Sequence, residues 1–474
     1  MELLRLIVTA QNLPIHTTRM TTRKALYMTL LSCSAIACKH EQAPFIMLPL
    51  LPYERIAERG IIDACVYHNA TDYYLHEGTP RGFHHELLND FADHMGLKLH
   101  VEIDSNFDTA LQGLKEDHYD LVAMSLCVTP QRQEEILFSD PLFHTRWVLV
   151  QNTTTPPLHS PHQLAGREIA CQPGGEGKRL LEHLRDSLRL SFSITEREGH
   201  TYEDILLLVE QGEIPLAITT EHVARVAKQQ LTRLDYSLAL SAPLPVAWAC
   251  PREAGFLLSD INHWLAGLKK NGRLAVLHDR YFNRPHHARS YFKSQRGTIS
   301  PYDPIIQEHA RRIDWDWRLL AALIYQESRF KPDVISGFGA VGLMQVMPQT
   351  ATTLGYSTYL SPRDNIRVGI AYLQFLQNTF SRYPFKPEER TKFILAAYNA
   401  GPGHVIDAMK LAEAHHKDSY TWEGNVDYFL LNKSDPALYK HALAHHGYCD
   451  GKQVFNFVNN IIETYAHYKN IIPE

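Results

Sequence analysis

The sequence lacks three features that would each indicate a particular class of protein. After its first forty residues no stretch approaches the roughly 18 continuous apolar residues of a transmembrane helix. Its 47 Lys and Arg are outnumbered by 52 Asp and Glu, and the net charge of −5 provides no basic field for nucleic acid. Its seven cysteines form no C-x-x-C pair and no spacing typical of zinc ligands. We therefore expect neither a nucleic-acid partner nor a metal site.

The composition is typical of a globular protein, and the chain is long enough for several domains. Apolar residues make up 45% and charged residues 21% of the 474 residues, a balance typical of chains that bury a core. At roughly 150 residues per domain, this length predicts about three compact units. Of the seven cysteines, five remain if the first is removed with a signal and the second is lipidated, so at least one of the five stays unpaired within an exported chain, and the sequence does not decide which of them pair.

The N-terminal region has the charge and hydropathy order of a secretory signal. A basic pair, Arg23 and Lys24, precedes the apolar run Ala25–Cys38, which is shorter than the roughly 20 residues that span a bilayer. The polar residues ahead of this pair indicate that the true start is Met20. Residues 1–38 are therefore expected to direct the protein into the cell envelope.

The end of this run resembles a bacterial lipoprotein signal, in which a cysteine is acylated after cleavage. The length of the hydrophobic stretch favours Cys38, Cys33 is a rival that fits the residue pattern slightly better, and a plain cleaved signal is the alternative. The resemblance implies a periplasmic protein attached to the outer membrane.

The segment from about residue 60 to 283 alternates short β-rich runs with helical patterns, which predicts α/β units. A helical pattern over residues 85–96 ends in Gly96, a plausible helix C-cap. The strand candidates are IIDACVYH (61–68), LKLHVEI (97–103), DLVAMSL (120–126), WVLVQ (147–151) and REIACQ (167–172).

Three segments of this region, RGFHHELLNDFADHMGLKL, YDLVAMSLCVTPQRQEEILFSDPLF and LAGREIACQPGGEG, resemble a family 3 extracellular solute-binding domain. The resemblance implies two α/β lobes with a ligand cleft between them, the second lobe being about residues 152–244. It also implies that Arg132 clamps a ligand carboxylate, although a solvated surface arginine is the alternative. Pro215 and Thr220 stand where amino-acid-binding members carry an aspartate for the ammonium group. A peptide or muropeptide ligand is therefore expected rather than a free amino acid, and a vestigial cleft is the alternative.

After a polar, Gly- and Pro-containing linker at residues 284–303, the pattern becomes helical from 304 to 474. On the first long helix the apolar stripe leads to Glu327 in the last turn, before Lys331-Pro332. Burial and the negative end of the helix dipole both raise the pKa of a carboxyl group placed there. That position suits a general acid, although a structural ion pair with Arg318 or Arg329 is the alternative.

The motifs E-S at Glu327, G-L-M-Q at 342–345 and A-Y-N at 397–399 resemble the catalytic core of family 1 lytic transglycosylases, which is a goose-type lysozyme-like domain. This resemblance implies cleavage of peptidoglycan glycan strands to 1,6-anhydro products, with Glu327 both donating and accepting the proton and with no cofactor. The further roles that it implies are hydrogen bonds from Ser328 and Gln345, an apolar wall from Met344, and the opposite side of the cleft from Tyr398 and Asn399.

Two alternative functions stay open at this point. A hydrolytic muramidase would need a second carboxylate, and the nearest, Asp333 and Asp364, are more simply a turn residue and a helix cap. A binding module with an inactive catalytic domain is the other. The segment containing His441, His445, His446 and Cys449 is rich in metal-ligand residue types, but without an acidic partner it is expected to be a solvated face.

Overall fold

The computed structural model describes residues 52–104, 106–284, 298–357 and 360–472. The predicted signal region, with Cys33 and Cys38, and residues 285–297 of the predicted linker lie outside these ranges. Within them, no helix combines the length and the apolar character needed to cross a membrane.

The first half of the described chain forms two α/β lobes. Its helices are α1 (Pro52–Arg59), α2 (Phe83–Met95), α3 (Phe107–Lys115), α4 (Pro130–Gln133), α5 (Gly175–Ser187), α6 (Tyr202–Gln211), α7 (Glu221–Lys228), α8 (Gly255–Lys270) and α9 (Arg273–His278). Its strands are β1 (Ile61–Val66), β2 (Tyr74–His76), β3 (Thr79–Arg81), β4 (Lys98–Ile103), β5 (Leu121–Val122), β6 (Leu137–Phe138), β7 (Phe143–Thr145), β8 (Trp147–Asn152), β9 (Glu168–Cys171), β10 (Ser193–Glu196), β11 (Leu216–Thr220), β12 (Leu234–Asp235), β13 (Leu244–Val246) and β14 (Ala249–Cys250).

Each lobe is built on one mixed five-stranded sheet. The first sheet has the order β4-β1-β5-β14-β6, and its parallel strand β1 is a nearly continuous apolar run because helices cover both of its faces. The second sheet has the order β10-β9-β11-β8-β12, and all six residues of its central strand β8 are buried. The antiparallel pair β7 and β13 carries the chain between the lobes. Because β8 already belongs to the second sheet, the second lobe begins at Trp147, a few residues before the predicted residue 152.

The remainder of the described chain is helical and has its own apolar core. Its helices are α10 (Asp303–Ala310), α11 (Trp317–Ser328), α12 (Pro348–Thr353), α13 (Pro362–Phe380), α14 (Pro387–Ala400), α15 (Pro402–Ala414), α16 (Asp427–Leu431), α17 (Pro436–Tyr439) and α18 (Gly451–Ile471). The predicted fold class, two α/β lobes followed by an all-α domain, is confirmed.

The predicted strand at residues 120–126 is wrong over most of its length, because only Leu121–Val122 pairs as a strand. The backbone N–H of Ser125 instead donates to the buried Asp72 carboxylate at 2.8 Å, and the Ser125 hydroxyl donates to the same group at 2.7 Å. His84 Nε2 lies 3.1 Å from that hydroxyl. A buried side-chain network therefore takes the place of a sheet ladder here.

The five cysteines of the described residues are all buried free thiols: Cys65, Cys127, Cys171, Cys250 and Cys449. Burial raises the pKa of Cys127 to about 12, so this thiol is protonated and unreactive at neutral pH.

Candidate active site and ligand cleft

The helix α11 positions Glu327 in its last turn. The helix begins where the Asp316 side chain accepts a hydrogen bond from the Arg318 backbone N–H. It ends at Ser328, because Arg329 and Phe330 both have positive φ angles, 51° and 58°. These two left-handed residues stop the helix before the predicted Lys331-Pro332 is reached.

The Glu327 carboxyl is partly buried, and burial raises its pKa to about 8. Among the described residues it has no hydrogen bond and no ion pair. The two arginines considered as its partners are engaged elsewhere. Arg318 pairs with Asp316 at 2.6 Å, and Arg329 donates to the Tyr325 hydroxyl at 2.5 Å. The alternative of a structural ion pair therefore has no support.

The loop at 334–346 lies against the end of this helix and is held by hydrogen bonds. The Ser328 hydroxyl donates to the Leu343 carbonyl oxygen at 2.8 Å, which fastens the loop to the helix beside Glu327. The Gln345 side-chain amide donates to the carbonyl oxygens of Val334, at 3.1 Å, and Gly342, at 2.8 Å. Ser328 and Gln345 thus use their donors to shape the loop, and their sugar contacts stay predictions.

Met344 lies in a different place from the predicted apolar wall of an open groove. Its side chain is fully buried, and a Cβ atom at Gly369 would lie 2.3 Å from its sulfur. Its contribution to the site is through the backbone: the N–H donates to Asn365 Oδ1 at 2.8 Å, and the carbonyl oxygen accepts from the Tyr398 hydroxyl at 2.7 Å.

Tyr398 lies close to Glu327 on the opposite helix, α14. Its pKa is raised well above the ordinary range, first by burial and then by the negative charge of Glu327 and the neighbouring Tyr372. Asn399 follows it and is half-buried, and its side chain has no hydrogen bond among the described residues. Glu327, the Met344 backbone and Tyr398 are therefore brought together, and the role of Asn399 stays a prediction.

Asn365 is a site residue that sequence reasoning missed. It is fully buried on α13, where its Oδ1 accepts from the Met344 N–H and its Nδ2 donates to the Val341 carbonyl oxygen at 2.9 Å. A Cβ atom at Gly342 would lie 2.5 Å from its Nδ2, so this glycine allows the close approach. The signal that could have found it is an amide on the buried face of an amphipathic helix.

Neither candidate second carboxylate resembles Glu327. Asp333 is exposed. Asp364 accepts from the Ser361 hydroxyl at 2.7 Å and pairs with Arg367 at 2.9 Å, as expected of a residue in the first turn of a helix. Only one of the three is therefore poised for proton transfer.

In the described part of the chain, no group of three or more His, Cys, Asp or Glu side chains has a geometry that could hold a metal ion. In the His441–Cys449 segment, His446 Nδ1 instead lies 3.0 Å from the Asp407 carboxylate. Cys449 is buried.

A second candidate site is the cavity between the two α/β lobes. Arg132 lines it from the first lobe, donating one guanidinium N–H to the Cys127 carbonyl oxygen at 3.0 Å. Burial lowers the Arg132 pKa, and the nearby Glu176 carboxylate opposes that effect. Of the two residues in the candidate places for an ammonium-binding aspartate, Thr220 lines the cavity with its hydroxyl. Pro215 is exposed and does not line the cavity.

Two polar groups of this cavity were missed by sequence reasoning. Trp147 and His222 are each 4% exposed, and among the described residues Trp147 Nε1 and His222 Nε2 have no hydrogen-bond partner. Burial lowers the His222 pKa to about 3, so the imidazole is neutral. The cavity therefore combines the Arg132 guanidinium and the Glu176 carboxylate with two neutral polar groups that have no hydrogen-bond partner among the described residues. Neither residue lies in a recognisable motif, so no sequence signal indicated them.

Two family models match the chain. The model described as "Bacterial extracellular solute-binding proteins, family 3" covers residues 65–284. The model described as "Transglycosylase SLT domain" covers residues 304–421. The first contains the interlobe cavity, and the second contains Glu327, Gln345 and Tyr398.

Curated relatives named membrane-bound lytic murein transglycosylase F match both regions together. The protein of Desulfosudis oleivorans is 28% identical over 422 residues, which are 87% of this chain and 90% of that protein. The one of Pseudomonas fluorescens is 29% identical over 420 residues, covering 87% of this chain and 85% of its own length. The chain therefore joins a family 3 extracellular solute-binding domain to a transglycosylase SLT domain, and its relatives along most of its length include the membrane-bound lytic murein transglycosylase F proteins.

Proposed function

We propose that this protein is a peptidoglycan lytic transglycosylase, an enzyme that cleaves the β-1,4 bond between N-acetylmuramic acid and N-acetylglucosamine without water. The observation that carries the proposal is Glu327, a carboxyl group with a pKa of about 8 and no ion-pair partner among the described residues. The transglycosylase SLT match and the names of the relatives support the same reaction class.

The chemistry uses this one carboxyl group twice. With a pKa near 8 it is mostly protonated at neutral pH, and as an acid it donates its proton to the glycosidic oxygen while the C1–O4 bond breaks. The resulting carboxylate then takes the proton of the muramoyl C6 hydroxyl while that oxygen bonds to C1. The products are a 1,6-anhydromuramoyl end and a free 4-hydroxyl group, and no water is consumed.

The geometry favours this reaction over hydrolysis. Glycoside hydrolysis generally needs a second carboxylate, which either activates water or forms a covalent adduct. Asp333 is exposed, and Asp364 is held by Ser361 and Arg367, so neither supports that role. A hydrolytic muramidase is therefore not favoured, and the transglycosylase SLT match with the names of the relatives does not favour an inactive binding module.

Product analysis of the full chain acting on purified peptidoglycan tests the reaction. We expect mass spectrometry to show 1,6-anhydromuramoyl ends and, in ¹⁸O-labelled water, no solvent oxygen in the products. Reducing ends carrying ¹⁸O would instead establish hydrolysis. Absence of turnover by a folded chain would favour the binding module.

We also infer that the solute-binding domain binds a peptide or muropeptide through its carboxylate, with Arg132 as the clamp. The cavity supplies a guanidinium and the Trp147 N–H as donors, and Thr220 lines it with a hydroxyl in a candidate place for the aspartate that would bind an ammonium group. The one carboxylate in its lining is Glu176, which lies 3.4 Å from Arg179. These groups suit an acid whose nitrogen is acylated.

A contact between the two domains supports the further proposal that this ligand modulates turnover. The hairpin β2–β3 of the first lobe reaches the catalytic helix, where Thr79 Oγ1 lies 3.2 Å from the Tyr325 hydroxyl. At its turn, the Gly78 carbonyl oxygen accepts from Tyr468 at 3.1 Å. A Cβ atom at Gly78 would lie 2.5 Å from the Phe330 ring. The hairpin therefore contacts Tyr325, which precedes Glu327 in the sequence, and Phe330, which follows it.

Replacing Arg132 by Met should weaken binding of soluble muropeptides from a cell-wall digest by about 10- to 100-fold, the worth of a charge-assisted hydrogen-bond pair. The measurement is calorimetric titration, together with peptidoglycan turnover at increasing muropeptide concentration. The matched control is Arg185→Met, a half-buried arginine of the second lobe that does not line the cavity. Equal affinity in the wild-type protein and the Arg132 variant would contradict the clamp.

The names of the relatives also support a cellular location. The relatives are named as membrane-bound murein transglycosylases, and we propose that this protein likewise works on peptidoglycan in the periplasm, at the outer membrane. A lipid on Cys38 or Cys33 stays a prediction, because both residues lie outside the described part of the chain.

A further inference from the structure

The tyrosine next to Glu327 is the first of three aromatic rings in contact. The Tyr398 ring packs against Tyr372 of α13 with centroids 5.3 Å apart. One helical turn further along α13, Phe375 lies nearly parallel to Tyr372, with centroids 6.1 Å apart and planes at 11°. A continuous set of rings therefore runs from the catalytic carboxyl group to Phe375.

Burial decreases along this set of rings. Tyr398 is half-buried and its hydroxyl donates to the Met344 carbonyl oxygen, whereas Phe375 is 47% exposed. Residues on the opposite edge of α13, such as Gln374 and Gln377, donate to carbonyl oxygens of the Arg311–Ile313 turn. Phe375 therefore lies on the same side of α13 as Tyr372, the side that contacts Tyr398, and away from the Arg311–Ile313 turn.

A single exposed aromatic side chain is ordinary on a protein surface. Phe375 differs because the parallel Tyr372 ring fixes its orientation, so a ligand would lose little side-chain freedom in binding to it. Its face carries partial negative charge and can contact the C–H face of a sugar ring. It is also connected through the Tyr372 and Tyr398 rings to Glu327, the group proposed to act on a glycan.

We propose that Phe375, supported by Tyr372, is a stacking platform for an N-acetylhexosamine ring of the glycan strand, at a position removed from the bond that is cleaved. This inference rests on the proposed function for the nature of the ligand. The platform binds a sugar and takes no part in proton transfer. It therefore contributes to the affinity for strands long enough to reach it and leaves the chemical step unchanged.

The experiment measures binding of β-1,4-linked N-acetylglucosamine oligomers of increasing length to the full chain carrying Glu327→Gln, so that no cleavage occurs. Adding Phe375→Ala should weaken binding of the longer oligomers by about 3- to 10-fold. The shortest oligomers should bind equally well with or without it. Phe375→Tyr should retain affinity, and Phe375→Leu should lose it, because an apolar side chain without a ring cannot stack.

The matched control is Phe256→Ala, which removes another exposed phenylalanine from the solute-binding domain. In the active background, Phe375→Ala should raise the KM for long strands and keep kcat. Unchanged affinity at every length, or an equal loss in Phe375→Ala and Phe256→Ala, would overturn the platform. If the wild-type chain fails to cleave peptidoglycan while Phe375→Ala still weakens oligomer binding, the platform stands and the proposed function falls.

Discussion

Replacing Glu327 by Gln is expected to lower the turnover of peptidoglycan by at least about 1,000-fold, because the amide can neither donate nor reclaim the proton. One general acid or base contributes roughly 10² to 10⁴, and this side chain performs both steps. The measurement is release of anhydromuropeptides by the full chain at equal protein concentration. A folded Glu327→Gln variant with more than a tenth of wild-type activity would contradict the assignment.

The pH dependence follows from the raised pKa. The carboxyl group must be protonated to begin the reaction, so kcat/KM is expected to fall as the pH rises through about 8. A rate that instead falls between pH 4 and 5 would indicate an ordinary exposed carboxylate. The position of this limb therefore reports directly on the burial of Glu327.

Glu327→Gln should increase the free energy of unfolding at neutral pH, although it abolishes most of the activity. The folded pKa of about 8 lies above the unfolded value of 4.5, so folding binds a proton between these values and stability falls as the pH rises through that window. At pH 7 this difference in pKa destabilises the wild-type protein by about 3 kcal/mol, a cost that the neutral amide avoids. Below pH 4.5 wild type and variant should be equally stable, and denaturant unfolding at both pH values measures the difference.

Replacing Lys433 by Met is expected to destabilise the helical domain by about 3 to 5 kcal/mol, because it leaves a carboxylate buried without its cation. The Lys433 side chain is fully buried, and its Nζ lies 2.6 Å from Asp407 Oδ2. Burial alone would raise the Asp407 pKa, but hydrogen bonds from Lys433 and His446 hold it at about 2. This pair also fixes His446 against Gly403, just beyond the Tyr398–Asn399 segment.

Denaturant unfolding, followed by loss of the helical signal, measures this effect. The matched control is Lys452→Met, which removes an exposed lysine of the same domain and should change stability by less than about 0.5 kcal/mol. The double variant Asp407→Leu with Lys433→Met should recover part of the loss, because no unpaired charge is then left buried. A loss below about 1 kcal/mol in the single variant would show that water reaches the pair.

Local sequence patterns were sufficient where one stretch of chain decides the outcome. The spacing of apolar residues predicted the helix that carries Glu327, and the helical pattern ending in Gly96 matches α2, whose C-cap is Gly96 with φ of 67°. The same reasoning failed at residues 120–126, where the Ser125 N–H donates to Asp72, 53 residues away in sequence. A strand pattern does not reveal that a distant carboxylate replaces the neighbouring strand.

Met344 illustrates what local sequence patterns could not predict about the site. The motif placed it near Glu327, but its side chain points into the core at Gly369 and its backbone is held by Asn365 and Tyr398. Those two partners come from separate helices, 21 and 54 residues further along the chain. Their convergence depends on how α13 and α14 pack, which no local window contains.

The sequence by itself determined the order of the domains, the helix on which Glu327 lies and its place on the apolar stripe, because periodicity and capping are local properties. Only the tertiary structure decided that this carboxyl group lacks an ion partner among the described residues, that Tyr398 lies beside it and that the β2–β3 hairpin reaches its helix. Those features depend on side chains distant in sequence meeting in space. The pKa of a buried acid is set by what surrounds it, and folding brings those surroundings together.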